Sequence, residues 1–310
     1  MDNELKSQHV VNTPNRRNES IDLVGGMIIY MIFGHIISWT NLNNSIYYIS
    51  LDRIFNFFMP WFFFKSGMFY NGKNASQQWK KFFIPFILWG IMGLLTYYLR
   101  DISSLGLSRL ILQPAKTLLL SGIFEGNIAL WFLLSLFLVR WVYPVLLKFL
   151  KNWHIIALSG LLTIVLLELK QYIHITYTYP EYFYNSLVGL FFYALGVEMR
   201  ENQYNNKVLA VSALLFVALS IHMPSRVSFY HTKLIEGNAL LWIISSSAGI
   251  FLFNGIANRI SNYANIPCRV LTYIGKNSMI FFVSHFIVGN VFYIVLAYMN
   301  LLPVNSWLLF

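Results

Sequence analysis

With 310 residues, 57% of them hydrophobic and 11% charged, and a mean hydropathy of +0.57, the chain is too apolar for a water-soluble domain, where about a quarter of residues carry charge. A formal charge of +10 would suggest nucleic acid in a soluble protein. Here Lys and Arg sit in short stretches between apolar runs, where they set orientation in a bilayer, so nucleic acid is excluded as a partner. The single cysteine, Cys268, excludes an intrachain disulfide.

In chain order, residues 1–19 read as a polar cytoplasmic tail and residues 20–310 as one membrane domain. The first apolar run opens near Ile21 and no small-residue cleavage site follows it, which predicts a retained span rather than a cleaved leader. Spans are expected at about 20–39, 54–70, 82–99, 128–147, 155–169, 184–199, 208–221, 238–256 and 279–298. Pro60 should kink the second. An amphipathic stretch near 110–120 is expected to lie in the interface, and residues 301–310 read as a loop and the opening of a truncated tenth span. The predicted fold is all-α, an integral membrane helix bundle of nine to ten transmembrane spans. Arg16, Arg17, Lys73, Lys80 and Lys81 flank the same side as the N-terminus, which places that terminus in the cytoplasm.

Several polar residues interrupt the apolar runs: Asp22, His35, Asn56, Lys65, Ser66, Arg140, Ser284 and His285. An ionisable group inside a membrane span points first to function. Asp22 also suits the positive end of a helix dipole, and a lone membrane histidine also serves as a hydrogen bond between helices. Asp22 and His35 lie roughly 20 Å apart on one helix, so each needs a separate partner. Neutral histidine suits general-base work near pH 7. No His-Glu-x-x-His, cysteine pair or acid cluster marks a metal site, and no phosphate-cradling glycine loop is present. Lys65-Ser66-Gly67 lacks the first glycine of a nucleophile elbow and reads as small-residue helix packing.

Four stretches carry a resemblance. Ile21-Asp22-Leu23 through Gly34-His35 is similar to the opening of the acyltransferase-3 family of multi-span membrane O-acyltransferases. Phe58-Met59-Pro60-Trp61-Phe62-Phe63-Phe64-Lys65-Ser66-Gly67 resembles that family's Phe-rich second helix. Leu130-Trp131-Phe132-Leu133 resembles its Leu-Trp-Phe-Leu element. Ile274-Gly275-Lys276-Asn277-Ser278 with Phe282-Val283-Ser284-His285 resembles its late Gly-x-Asn-Ser and His element. The four occur in the family's order and cover most of the chain.

The resemblance implies a protein of the bacterial inner membrane that moves an acetyl group from acetyl-CoA to a hydroxyl of a surface polysaccharide or lipid-linked glycan. Acetyl-CoA is then a co-substrate, no other cofactor is expected, and the remaining partners are the glycan and membrane lipids. His35 carries over as catalytic, supported by Asp22. Asn277, Ser278 and His285 of the late element are placed on the acyl-donor side, His285 also as a supporting position, and Lys65 joins them by its expected depth. Asp52, Arg53, Glu125, Asn127 and Trp131 are candidates for the acceptor side, the loop residues among them being equally readable as solvated polarity. Where the family has a cation in the first helix, this chain has Val24 or Gly25. Lys65, expected at similar depth on the second span, would supply that charge from across the helix pair, or else snorkel to the inner interface. Two rival functions stay open. One is a transporter or flippase using Asp22, Lys65 and His285 as a proton relay; the other is a family member without turnover.

Overall fold

The second apolar run shows how sequence breaks and aromatic packing shape the molecule. Its helix, α2 (Phe58–Met68), starts only after a turn at 55–57, so Pro60 falls in the first turn. There its missing N–H costs no helical bond, and the expected mid-span kink becomes a helix start. The computed structural model describes residues 19–27, 29–30, 32, 34, 53–72, 75–101, 111–177, 179–202, 204–261 and 265–299.

The first run is also broken. Helix α1 (Glu19–Gly26) ends on two glycines, each less favourable than alanine in a helix by about 1 kcal/mol. Met27 then donates its N–H to Val24 O in a turn, and helical conformation resumes at Ile29, Tyr30, Ile32 and Gly34. From Ser20 to Gly26 every residue of α1 is buried.

After α2, a short helix Ala75–Gln78 and a π turn Trp79–Phe83 lead into α3 (Ile84–Asp101). Helix α4 (Gln113–Ser121) has Pro114 in its first turn and stops at Gly122, which is left-handed at φ +69°. A 3₁₀ turn Ile128–Leu130 opens α5 (Trp131–Leu146), followed by α6 (Asn152–Tyr172), α7 (Glu181–Met199) and α8 (Asn206–His222). A hairpin of β1 (Arg226–Ser228) and β2 (Lys233–Glu236) precedes α9 (Ala239–Ile260), α10 (Ile266–Lys276) and α11 (Ser278–Tyr298).

Among the described residues, five helical stretches are long and apolar enough to cross a membrane: 79–99, 128–146, 152–172, 239–260 and 278–295. The described residues thus support five long crossings and do not confirm the nine to ten expected. α1, α2 and α10 are short, and α1 and α2 are mostly buried inside the bundle. Leu88, Ile91 and Leu95 on α3 and Leu158, Leu161 and Val165 on α6 are exposed, the apolar outer surface that lipid requires.

The core is aromatic and centred on α2. Phe57, Phe58, Trp61, Phe63 and Phe64 are buried there. α2 meets α7 backbone to backbone: a Cβ on Gly67 would strike the Tyr193 carbonyl, and one on Gly196 the Phe64 carbonyl. Small residues in membrane helices permit this approach, which is the packing expected of Ser66-Gly67. Trp61 Nε1 donates to Asn254 Oδ1 at 2.8 Å and ties α2 to α9.

The hairpin is an element that the apolar pattern did not announce. β1 and β2 run antiparallel, with Val227 opposite Leu234 and an irregularity between Arg226 and Val227. Asn56 completes the strand edge, donating Nδ2 to Ser225 O at 2.6 Å and accepting from Val227 N at 3.4 Å. Its tip is anchored to two helices. Lys170 Nζ donates to His231 O at 2.6 Å, Asn185 Nδ2 to Tyr230 O at 2.9 Å, and Glu181 faces His231 Nδ1 at 3.1 Å.

Candidate functional site

Charged side chains from several elements converge on one cavity. A cavity of about 540 Å³ lies between α1, α2, α5 and the start of α11, with the π turn at its edge. Among the described residues four cationic side chains line it (Lys65, Lys81, Arg140 and Lys276), against one carboxylate, Asp22. Lys81 and Lys276 are exposed at the mouth, whereas Arg140 is buried. The opposite wall is apolar and includes Phe62, Phe132 and Phe282.

Arg140 is held in position by neutral groups. Its Nε donates to Gln78 Oε1 at 2.6 Å and its Nη1 to Ser66 Oγ at 2.7 Å, with Phe82 5.2 Å beneath the guanidinium. Among the described residues no carboxylate pairs with it. A buried guanidinium balanced only by neutral acceptors is poised for an anion, because its remaining N–H groups form a fork matched to phosphate or carboxylate oxygens.

Asp22 and Lys65 sit beside one another. Lys65 Nζ lies 3.8 Å from Asp22 Oδ1 and 5.1 Å from the Trp61 ring centroid. A Cβ on Gly25 would come within 3.3 Å of that same Nζ, so the ammonium occupies the position next to which a first-helix side chain would begin. α1 can lie so close to α10 because Gly275 has no side chain. A Cβ there would collide with the Asp22 carbonyl.

A second, smaller cavity of about 270 Å³ adjoins the other end of α2. Trp131, Tyr230, Asn56, Ser228 and His285 line it together with phenylalanines, and among the described residues no Lys, Arg, Asp or Glu lines it. His285 Nδ1 donates to the Phe282 carbonyl at 2.7 Å, which fixes the ring with Nε2 as its acceptor nitrogen. Trp131 stacks on Phe229 at 5.7 Å, and Tyr230 lies 6.0 Å from Trp131. Burial pushes the Tyr230 hydroxyl up to about 12, so it remains a proton donor across the physiological range.

The expected site residues are thus divided. Asp22, Lys65 and Ser278 share the cationic cavity, while His285 and Trp131 line the neutral one. Asn277 lines neither: it caps α10, Nδ2 donating to Tyr273 O at 2.9 Å. Glu125 accepts from Thr117 Oγ1 at 2.7 Å in the turn before α5. Asn127 is fully buried and donates to Val283 O at 2.9 Å, a tie between that turn and α11. Arg53 is paired with Glu236 on the hairpin at 2.6 Å. His35 and Asp52 lie outside the described residues. Among the described residues no three His, Cys, Asp or Glu converge as metal ligands.

Arg140, Lys81, Lys276 and Tyr230 join the sites without having been singled out for them. Arg140 carried a readable signal, a guanidinium within an apolar run. Lys81 and Lys276 look like ordinary loop cations until the fold brings them to one rim. Tyr230 depends on a hairpin that hydropathy conceals.

The family model described as an acyltransferase domain, that of acyltransferase-3, matches residues 20–310. No curated protein and no solved structure matches the chain.

Proposed function

Since the chain belongs to the acyltransferase-3 family and is thereby a membrane acyltransferase, we propose that it transfers an acetyl group from acetyl-CoA to a hydroxyl of a surface polysaccharide or its lipid-linked precursor. The observation that carries this reading is the cationic cavity with an apolar back wall. Lys81 and Lys276 at the mouth and Arg140 and Lys65 inside suit the phosphates of CoA, and the phenylalanine wall suits the uncharged thioester end. The neutral cavity beyond, with Trp131, Asn56, Ser228 and Tyr230, suits a polyhydroxylated acceptor that presents an apolar sugar face to an aromatic ring.

The reaction needs little beyond positioning and one base. His35 takes the proton of the acceptor hydroxyl as its oxygen attacks the thioester carbonyl. The C–S bond breaks, CoA thiolate leaves, and the imidazolium returns the proton to sulfur. A covalent route in which His35 receives the acetyl group first conserves the same atoms. Lys65, held beside Asp22 where the first helix lacks a cation, serves the phosphates or the thioester region. In this reading the N-terminus is cytoplasmic, the membrane is a bacterial inner membrane, and the bundle completes nine to ten crossings. The proton-relay alternative is disfavoured, because His285 opens onto a different cavity from Asp22 and Lys65.

The test is acetyl transfer in membranes bearing the full chain, given radiolabelled acetyl-CoA and isolated surface glycan. Alkali-labile label on the glycan is expected only when the chain is present. Equal acetyl content in glycan from cells with and without the protein, together with no label transfer, would overturn the reading.

A further inference from the structure

The two cavities meet at a layer one ring thick. Phe282 lines both of them. Its ring centroid is 5.1 Å from that of Phe132, 6.1 Å from that of Phe62 and 6.0 Å from that of His285. Phe62 and Phe132 are themselves 5.6 Å apart, so the three rings are in mutual contact. All three are buried. On α11, Ser278 and Met279 face the cationic cavity and His285 and Phe286 the neutral one, with Phe282 between. On α2, Phe62 lines the first and Phe58 the second, one turn apart with rings 5.3 Å from each other.

A donor held by its phosphates at Lys81, Lys276 and Arg140 directs its uncharged end away from those charges, toward this layer. The acyl carbons beyond the thioester carbonyl are the part that reaches the rings. We propose that Phe62, Phe132 and Phe282 form an acyl ruler, the wall that limits the transferred group to a short chain and makes Phe282 a specificity-determining residue. This rests on the acyltransferase reading above and adds to it the reason for a small acyl group. An apolar pocket discriminates by about 10–200-fold for each methylene it cannot accommodate. Packed aromatic rings yield little, since protein interiors are close-packed and an added methylene forces side chains off their rotamers. Trimming a ring to Leu or Ala opens room for several methylenes on the cavity side.

The experiment compares kcat/KM for acetyl-, propionyl- and butyryl-CoA in membranes carrying wild type, Phe282→Leu, Phe282→Ala and Phe132→Leu. Phe63→Leu serves as the packing control: Phe63 is buried 5.1 Å from Phe132 but lines neither cavity. Wild type is expected to prefer acetyl over butyryl by about 100-fold or more, at about 10-fold or more for each of two methylenes. The Phe282 and Phe132 variants should bring that ratio below about 10, while Phe63→Leu lowers all donors alike. A wild-type enzyme that uses butyryl-CoA as well as acetyl-CoA overturns the ruler, as does an unchanged ratio in both the Phe282→Leu and Phe132→Leu proteins. Absence of transfer from every thioester by wild type removes the acyltransferase substrate reading itself, and the ruler with it.

Discussion

The two cavities border one layer of phenylalanines yet are built by opposite means. The cationic one is made by apolar helices that each contribute an isolated charge or hydroxyl, held in place by neutral neighbours or by one carboxylate. The neutral one is closed by a hairpin whose backbone is tied down by side chains from α6, α7 and the segment before α2. A charge inside a bundle is tolerable where a ligand of opposite sign is to enter, because an unsatisfied buried ion is costly. A site for an uncharged ligand instead needs precisely placed neutral donors and acceptors, and irregular backbone supplies them.

Substitutions can break this division or sharpen it. The largest effect is expected at the step that joins the two sides: His35→Ala should lower acyl transfer by about 10²–10⁴-fold with near-normal protein in the membrane. Full transfer by that variant would make His35 structural. Arg140→Met should come next, weakening donor binding by about 100-fold, since loss of one partner of a buried charge-assisted contact costs about 2–5 kcal/mol. Titration of CoA binding checks this, and the KM for acceptor should stay within about twofold. Lys65→Met should act in the same direction on the donor alone; if it binds CoA as wild type does, Lys65 merely pairs with Asp22.

Tyr230→Phe probes the neutral side. It should raise the acceptor KM by about fivefold, the worth of about one neutral hydrogen bond, and leave donor binding alone. Because the folded hydroxyl titrates near 12 rather than 10.0, its stabilising contribution is complete below pH 10 and is lost as pH rises from 10 toward 12. Alkaline unfolding in detergent should therefore be less steep in Tyr230→Phe over that interval, and the pH–rate profile from 6 to 9 should not change shape. The smallest effect belongs to Glu236→Gln, which removes the carboxylate that pairs with Arg53 at 2.6 Å and with Arg226 at 3.9 Å. Both members of the shorter pair are about one third exposed, so a loss of about 0.5–1 kcal/mol in thermal unfolding is expected.

Much of the cationic side was legible in the sequence. Asp22, Lys65 and Arg140 stand out in apolar runs because a bilayer interior makes any charge conspicuous, and Lys65 was expected at the depth of Val24 or Gly25 on the first span. The neutral side was less so. Asn127 on the acceptor side, like Asn277 on the donor side, read as a polar candidate, but both amides satisfy backbone carbonyls, a role that residue type alone does not distinguish from ligand binding. The hairpin escaped because Arg226–Ser228 and Lys233–Glu236 are too short for alternation to register, and its positions depend on Lys170, Glu181 and Asn185 far away in sequence. The breaks in the first two runs were missed for another reason. Hydropathy sums through Gly25-Gly26 and Phe57-Phe58 without registering where the backbone turns.

The flush seating of α1 on α10 has a consequence for how the protein is made. Gly26 and Ile266, the near ends of those two helices, are 240 residues apart in the chain. At about 5–20 residues per second of synthesis, α1 waits roughly 10–50 s before the helix that covers it exists. Throughout that interval the carbonyl of Asp22 faces something other than Gly275. The wall that Gly275 and Lys276 give to the cationic cavity is therefore added only after 240 further residues have been made.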